Sequence, residues 1–375
     1  MAEPMHALFC LLPLSVPIAM NPVPTKSDPL PALVGMSHAR MLELCRQAGA
    51  KDVHADNLRA AIYRHGNTDI DSIPELPAQL RQYIRQHTSG FSPACTASQQ
   101  SNDGTQKLLL GMVDGKEVET VLIPGKGRIT QCVSTQVGCA VGCTFCLTAT
   151  AGLTRNLTAA EMVAEVMAGQ QLTGRNVRNL VLMGMGEPLH NYEQVAEFVR
   201  IVTDPKGMAF SPRRVTLSTS GLIPGIRRMI DDDLPCNLAL SLNATTDEVR
   251  SRIIPLNRKY PIAELMDAVR EYIERRGDKR VLIEYVLLAS INDSLDDAHR
   301  LVELLDGLNC TVNLLPFNPY PGSLFERPED VQVTAFRNIL VEASLVAVVR
   351  ESRGRDISAA CGQLKTETNQ RRRSL

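Results

Sequence analysis

Residues 134–152 read STQVGCAVGCTFCLTATAG, and the reading of this stretch decides the fold. Cys139, Cys143 and Cys146 stand in a C-x3-C-x2-C pattern on a loop punctuated by Gly138 and Gly142. Three soft thiolates on one compact loop suit either zinc or an iron–sulfur cluster. A structural zinc site wants four ligands, typically in two pairs, and no second pair follows at a matching distance. Three ligands therefore point to a cluster with one iron left open for a substrate or cofactor. The glycines let the backbone turn tightly and approach the metal, and Phe145 is placed to shield it. Buried core cysteines are the bland alternative, but a Gly-bounded loop is a poor way to build a core.

Outward from this loop, short β-rich runs alternate with amphipathic helical runs. Strands are expected at GRITQCVSTQ, RNLVLMGMG, RRVTLSTSG, CNLALSLNA, RVLIEYVLL and CTVNLLPFN, with helices near 158–172, 191–203, 223–231, 261–275 and 295–307. Six strands separated by helices imply a parallel sheet, because each right-handed crossover needs that much chain. Nearly continuous apolar strands are what a sheet covered on both faces requires. The expected class over 126–350 is α/β, a parallel barrel or an open α/β sheet, whose active site belongs at the C-terminal ends of its strands. Several residues stand at such ends: Gly186 and Glu187 in MGMGEP, Ser218 in TLSTSG, Ser241, Leu242 and Asn243 in LSLNA, and Asn318 in PFNP. Each alone is an ordinary cap or turn former. Their recurrence in successive units favours a shared ligand. G-x-G-x-x-G is not met at 184–189, since Leu189 takes the third glycine's place.

Residues 36–90 read as a small helical domain. SHARMLELCRQAG and ADNLRAAIYRHG carry helical spacing, with Ser37 and Asp56 as expected N-caps, and LPAQLRQYIRQH follows. The polar run TSGFSPACTASQQSNDGTQ reads as a linker, so 91–125 is taken as linker and barrel entry. Residues 1–35 read as a disordered or mis-started leader. Their apolar run has no basic start and is broken by Pro13 and Pro17, which argues against a signal peptide or a membrane span. The remainder, 351–375, is a loop carrying Cys361 and a basic tail.

The chain has 375 residues, net charge -1 and ten cysteines. Ten is too sparse for a stapled secreted scaffold, so free thiols in a cytoplasmic protein are expected. With no global basic field, any nucleic acid must be held by local patches, such as those at 213, 227, 274, 352 and 371. Each patch alone is most simply a solvated surface. Aromatic residues are only 4% with no Trp, which argues against a recognition surface of stacking platforms.

The cysteine spacing on the first strand-to-helix loop resembles the radical S-adenosylmethionine (SAM) superfamily. That resemblance implies a partial parallel (β/α)6 TIM-like barrel over 126–350, and a [4Fe–4S] cluster on Cys139, Cys143 and Cys146 whose open iron binds SAM, with Gly186 and Glu187 as a GEP-type motif at its amino group. A closer resemblance follows from ETVLIP, CVSTQVGCAVGCTFC, GLTRNLTAAEM, MGMGEPL, RRVTLSTSG, IEYVLL, NLLPFNP and RGRDISAACGQL. Together these are similar to the radical SAM RNA adenine methyltransferases, the RlmN/Cfr family, over roughly residues 100–365. The family resemblance implies two SAM molecules per turnover and three catalytic residues. Cys361 would carry a methyl group, Glu119 would accept a proton, and Cys132 would release the product and leave a disulfide. It implies an RNA substrate, ribosomal first and transfer RNA second, with adenine C2 favoured over C8. It also implies a flavodoxin- or ferredoxin-type electron donor, no membrane and a monomer. Two departures stand out: Asn243 replaces the commoner His, and Leu147 the commoner Ser. The rival readings are a radical SAM enzyme acting on a non-RNA substrate and a zinc-containing RNA-binding module.

Overall fold

The computed structural model describes residues 30–90, 94–174, 176–277 and 280–365. Most of the expected leader and the basic triplet at 371 lie outside the described residues. Three helices come first: α1 (His38–Gln47), α2 (Val53–Arg59) and α3 (Ala78–His87). Ser37 caps α1 as expected, its side chain accepting from Arg40 N. Asp56 does not cap α2. The cap position is Asp52, and Asp56 sits inside the helix, bonded to the buried Arg59. An aspartate four residues into a helix satisfies the same composition rule, so the sequence placed the start one turn late. Arg59 also donates to Asp204 Oδ2 at 2.9 Å and fastens this unit to the barrel. Gly35 lies against the Ala160 backbone so closely that a Cβ there would overlap it.

The polar run expected as a linker is instead sheet. β1 (Ala94–Gln100), β2 (Gln106–Gly111) and β3 (Glu117–Gly125) form an antiparallel meander that joins β4 (Arg128–Cys132) edge to edge. A separate two-stranded ribbon, β5 (Gln136–Gly138) with β6 (Leu153–Asn156), brackets the cysteine loop. Then the chain winds as expected. α4 (Ala159–Leu172) opens with a capping box in which Thr158 and Glu161 exchange hydrogen bonds. It leads through β7 (Val177–Leu182), α5 (Tyr192–Thr203), β8 (Val215–Thr219), α6 (Ile223–Asp231) and β9 (Asn237–Ser241). A short helix α7 (Asp247–Ile253) precedes α8 (Ile262–Arg276), β10 (Val281–Leu287), α9 (Leu295–Leu305) and β11 (Cys310–Pro316). α10 (Asp330–Glu342) and a short β12 (Ala347–Val349) complete the winding.

The sheet order is β1-β2-β3-β4-β7-β8-β9-β10-β11-β12, and every pairing from β4 onward is parallel. The six expected strands are all present, and β12 adds a seventh parallel one at the edge. β1 and β12 are not paired to each other, so the barrel is partial. The core lies between the sheet and its helices, and the alternate residues of β10 and β11 are fully covered. All parallel strands point their C-terminal ends at one side, where the cysteine loop sits.

Candidate active site

A cavity of about 260 Å³ opens at the C-terminal ends of the parallel strands. It is lined by Cys139, Cys143 and Cys146 from the loop after β5, and by Cys361 from the C-terminal loop. Successive strand ends contribute Gly186 and Glu187 after β7, Ser218 on β8, Ser241 and Asn243 at β9, and Asn318 after β11. Leu242 does not line it. That side chain is fully buried, and its carbonyl accepts from Arg250 at 2.9 Å.

The cysteine loop has its shape because of two glycines. Gly138 and Gly142 both hold positive φ, 82° and 74°. A Cβ on Gly138 would overlap the Gly152 carbonyl oxygen, which must accept from Cys139 N at 2.9 Å. Gly138→Ala is therefore expected to abolish metal loading, with iron content falling below about a tenth of wild type in anaerobic reconstitution. Retained iron at wild-type stoichiometry would show that the loop tolerates the distortion.

Among the described residues no three His, Cys, Asp or Glu side chains close into a cage for a single ion. The three thiols lie instead along one wall of the cavity. Burial raises Cys143 well above its usual value, and the neighbouring Cys146 and Cys139 add to this while Arg250 opposes it. Burial likewise raises Cys139 to about 11. Such thiols hold protons at neutral pH until a metal centre displaces them, which is how soft-metal ligands bind. Val141, Phe145, Ile253, Ile254, Leu288 and Phe317 form an apolar jacket around the loop. Soft donors, an open backbone and a dry jacket fit an iron–sulfur cluster on Cys139, Cys143 and Cys146.

The shelf of strand ends is tightly built. Glu187 N donates to Gln136 Oε1 at 2.9 Å, and the Glu187 carboxylate accepts from Ser220 N at 2.8 Å and Ser220 Oγ at 2.6 Å. Gly186 holds φ 107°, where a Cβ would come within 2.6 Å of Gln136. Ser218 and Ser241 hydroxyls face each other at 3.5 Å. Asn243 holds φ 58°, a left-handed conformation that asparagine tolerates, and its Oδ1 accepts from Val286 N at 2.8 Å. Asn318 Oδ1 and Gln363 Oε1 are buried acceptors with no hydrogen-bond partner. Of the two, Asn318 lies on the cavity wall, and an unpaired buried acceptor there marks where a ligand supplies the donor.

The C-terminal loop is stitched to the cysteine loop. Leu147 N donates to Gly362 O at 2.7 Å, and Thr148 Oγ1 to Leu364 O at 2.6 Å. Glu119, buried on β3, accepts from Lys365 N at 2.7 Å and pairs with Lys107 at 2.9 Å. Cys132 ends β4 as a buried free thiol, not on the cavity lining. Burial raises it far above the usual thiol range, and the Cys361 thiol contributes to that rise. Cys361 is also a free thiol, exposed at the cavity mouth and raised mainly by the protein packed around it, then by Glu284. The loop is held further by the β1–β2 turn. Asp356 accepts from Ser101 Oγ at 2.5 Å and Asn102 N at 3.1 Å, while Asp103 accepts from Gly354 N at 2.9 Å.

The sequence gives no sign of Arg250 as part of the site. It is fully buried on α7 and donates to the carbonyls of Leu242, Ser220 and Ser241 and to Asn257 Oδ1. One guanidinium thus pins the ends of β8 and β9 under the cysteine loop. Glu284, which lines the cavity and accepts from Asn313 at 2.8 Å, was also not singled out.

The radical SAM superfamily pattern matches residues 133–304. The dual-specificity RNA methyltransferase RlmN of Rhodospirillum rubrum is 46% identical over 367 residues, 96% of this chain and 84% of that protein. Its namesake in Gluconobacter oxydans is 44% identical over 354 residues, 91% of this chain and 87% of that one. A crystal structure of a radical SAM methyltransferase from Sphaerobacter thermophilus is similar with a TM-score of 0.84 at 45% identity, covering 89% of this chain and 99% of that chain.

Proposed function

Because this chain belongs to the RlmN family of the radical SAM superfamily, we propose that it is an RNA methyltransferase that places a methyl group on carbon 2 of adenine. Ribosomal RNA is the first substrate and transfer RNA the second. The observation that carries the reading is the stitching of the Cys361 loop to the cysteine loop, which sets a lone thiol beside three that suit a cluster. When bound, a [4Fe–4S] cluster would let an external flavodoxin- or ferredoxin-type donor pass one electron to SAM and so generate a carbon-centred radical.

Carbon 2 of adenine is electrophilic, so polar methyl transfer from a sulfonium fails there. Cys361 overcomes this by first taking a methyl group from one SAM through its thiolate, becoming S-methylcysteine. Removal of a hydrogen atom, at the expense of a second SAM, leaves a methylene radical on the Cys361 sulfur that adds to the adenine carbon. One electron then returns to the one-electron carrier and one proton passes to Glu119. Cys132 attacks the Cys361 sulfur as thiolate, and the electron pair of the broken S–CH2 bond stays on carbon, which takes a proton to become methyl. The resulting disulfide must be reduced before the next turnover. Glu187, Ser218, Ser241, Asn243 and Asn318 orient SAM along the strand ends. Reaching this enclosed site requires an unstacked base, which favours a loop or bulge of folded RNA.

The test is mass spectrometry of digested RNA from cells with and without the gene. Loss of 2-methyladenosine from ribosomal RNA is expected. Loss of 8-methyladenosine instead would overturn the choice of carbon, and an unchanged nucleoside profile would overturn the function.

A further inference from the structure

A second cavity, about 590 Å³, opens where β4, β7 and β8 begin, at the opposite ends of the strands from the cysteines. Arg128 starts β4, Arg178 is the second residue of β7, and Arg214 immediately precedes β8. Lys126, on the β3–β4 turn, and Arg64, beyond α2, add to them. None of the residues lining this cavity is acidic. Lys126, Arg128, Arg178 and Arg214 have exposed side chains and make no ion pair among the described residues. By contrast, Arg227 pairs with Glu271, Arg228 with Glu193 and Arg270 with Asp267. In a chain of net charge -1, four unmatched cations in one groove are a local field that repels itself unless a polyanion fills it.

We propose that this groove is a second RNA-contact site, gripping phosphates of the same folded RNA whose target base enters the cysteine cavity. The inference rests on the RNA reading above and adds a surface to it. β4, β7 and β8 are adjacent in the sheet, so Arg128, Arg178 and Arg214 form a row two strand spacings long, about 10 Å. At a charge spacing of about 3.4 Å per strand of a duplex, such a row faces roughly three phosphates, not a single one. Tyr63 and Phe210 line the groove, but both are buried, so neither offers a ring face for stacking a base. The contact therefore positions the RNA without reading its sequence. β7 is six residues long, which places the groove about 20 Å from the cavity. An RNA that touches both ends must be folded and larger than a hairpin loop.

The test compares full-length wild type with the triple substitution Arg128→Gln, Arg178→Gln, Arg214→Gln, both shown to carry the same iron content and melting midpoint. A ribosomal RNA domain transcript and a short hairpin bearing only the target loop are the probes, bound across a salt series. For the transcript, the variant is expected to bind at least about tenfold more weakly, with the slope of log affinity against log salt reduced by roughly 2 to 3. The hairpin should bind both proteins with one slope. An unchanged transcript slope, with wild-type affinity intact, overturns the groove and leaves the methyltransferase reading standing. Failure of iron-loaded wild type to bind either RNA at any salt overturns both. Loss of ATP or inorganic phosphate binding in the variant, with RNA binding unchanged, would assign the groove to a free phosphate ligand and overturn the proposal as stated.

Discussion

Replacing Cys361 by alanine is expected to reduce RNA methylation by at least about three orders of magnitude while leaving iron content and SAM binding at wild-type levels. The residue contributes no cluster ligand in this reading; it carries the carbon. The loop around it is fixed by hydrogen bonds from Leu147 N and the Thr148 hydroxyl to the carbonyls of Gly362 and Leu364, which do not depend on the Cys361 side chain. An alanine should therefore keep the loop in place and remove only the sulfur. Cys132→Ala tests the other half of the sequence. It should stall after carbon–carbon bond formation and accumulate a covalent protein–RNA species that survives denaturing electrophoresis. Methylation by the Cys361→Ala protein at even a tenth of the wild-type rate would mean that the methyl never rides on that sulfur. The chain would then be a radical enzyme of another reaction type.

The second large effect is structural. Arg250→Met should destabilise the fold by about 3 kcal/mol or more, because it strands several buried carbonyl acceptors at once. In a chain of 375 residues that corresponds to a fall in melting midpoint of roughly 4 °C or more. Burial lowers the Arg250 guanidinium to about 10, which still leaves it charged at neutral pH. Arg250→Lys should rescue little, since a point charge cannot serve carbonyls of β8 and β9 together with Asn257 in the way a planar fork does. Differential scanning calorimetry on both variants decides the matter. A midpoint within about 2 °C of wild type for Arg250→Met would show that water replaces the guanidinium.

The alternation of apolar strands with amphipathic helices was legible because burial on both faces leaves a strong composition signal. The cysteine loop was legible because three thiols between glycines have few structural uses. β1 and β2 were not, for a physical reason. β1 is exposed from Cys95 to Gln100 and carries Cys, Thr, Ala, Ser and Gln there, so it shows no alternation for periodicity to detect. Its pairing with β2 supplies what its side chains do not. Arg250 was hidden because DEVRSRI reads as an ordinary solvated helix. Only the docking of α7 beneath the cysteine loop turns that arginine inward. Apart from Arg214, which belongs to the basic patch at 213, the groove has no sequence run, since its residues lie at 64, 126, 128, 178 and 214 and meet only in the fold. α10 also went unmarked, and the expected helices stopped at α9.

The tie between Ser101 and Asp356 spans 255 positions of chain. A plain meander at one margin of the sheet thus serves as a stay for the segment bearing Cys361, near the other terminus. That segment can reach its working position only after every intervening strand and helix has been wound into register. A half-finished chain on its way to the native state would hold its clustered thiols without the partner sulfur in place. Under the proposed mechanism the most reactive step would then await complete assembly, and methyl loading of Cys361 would report on finished folding.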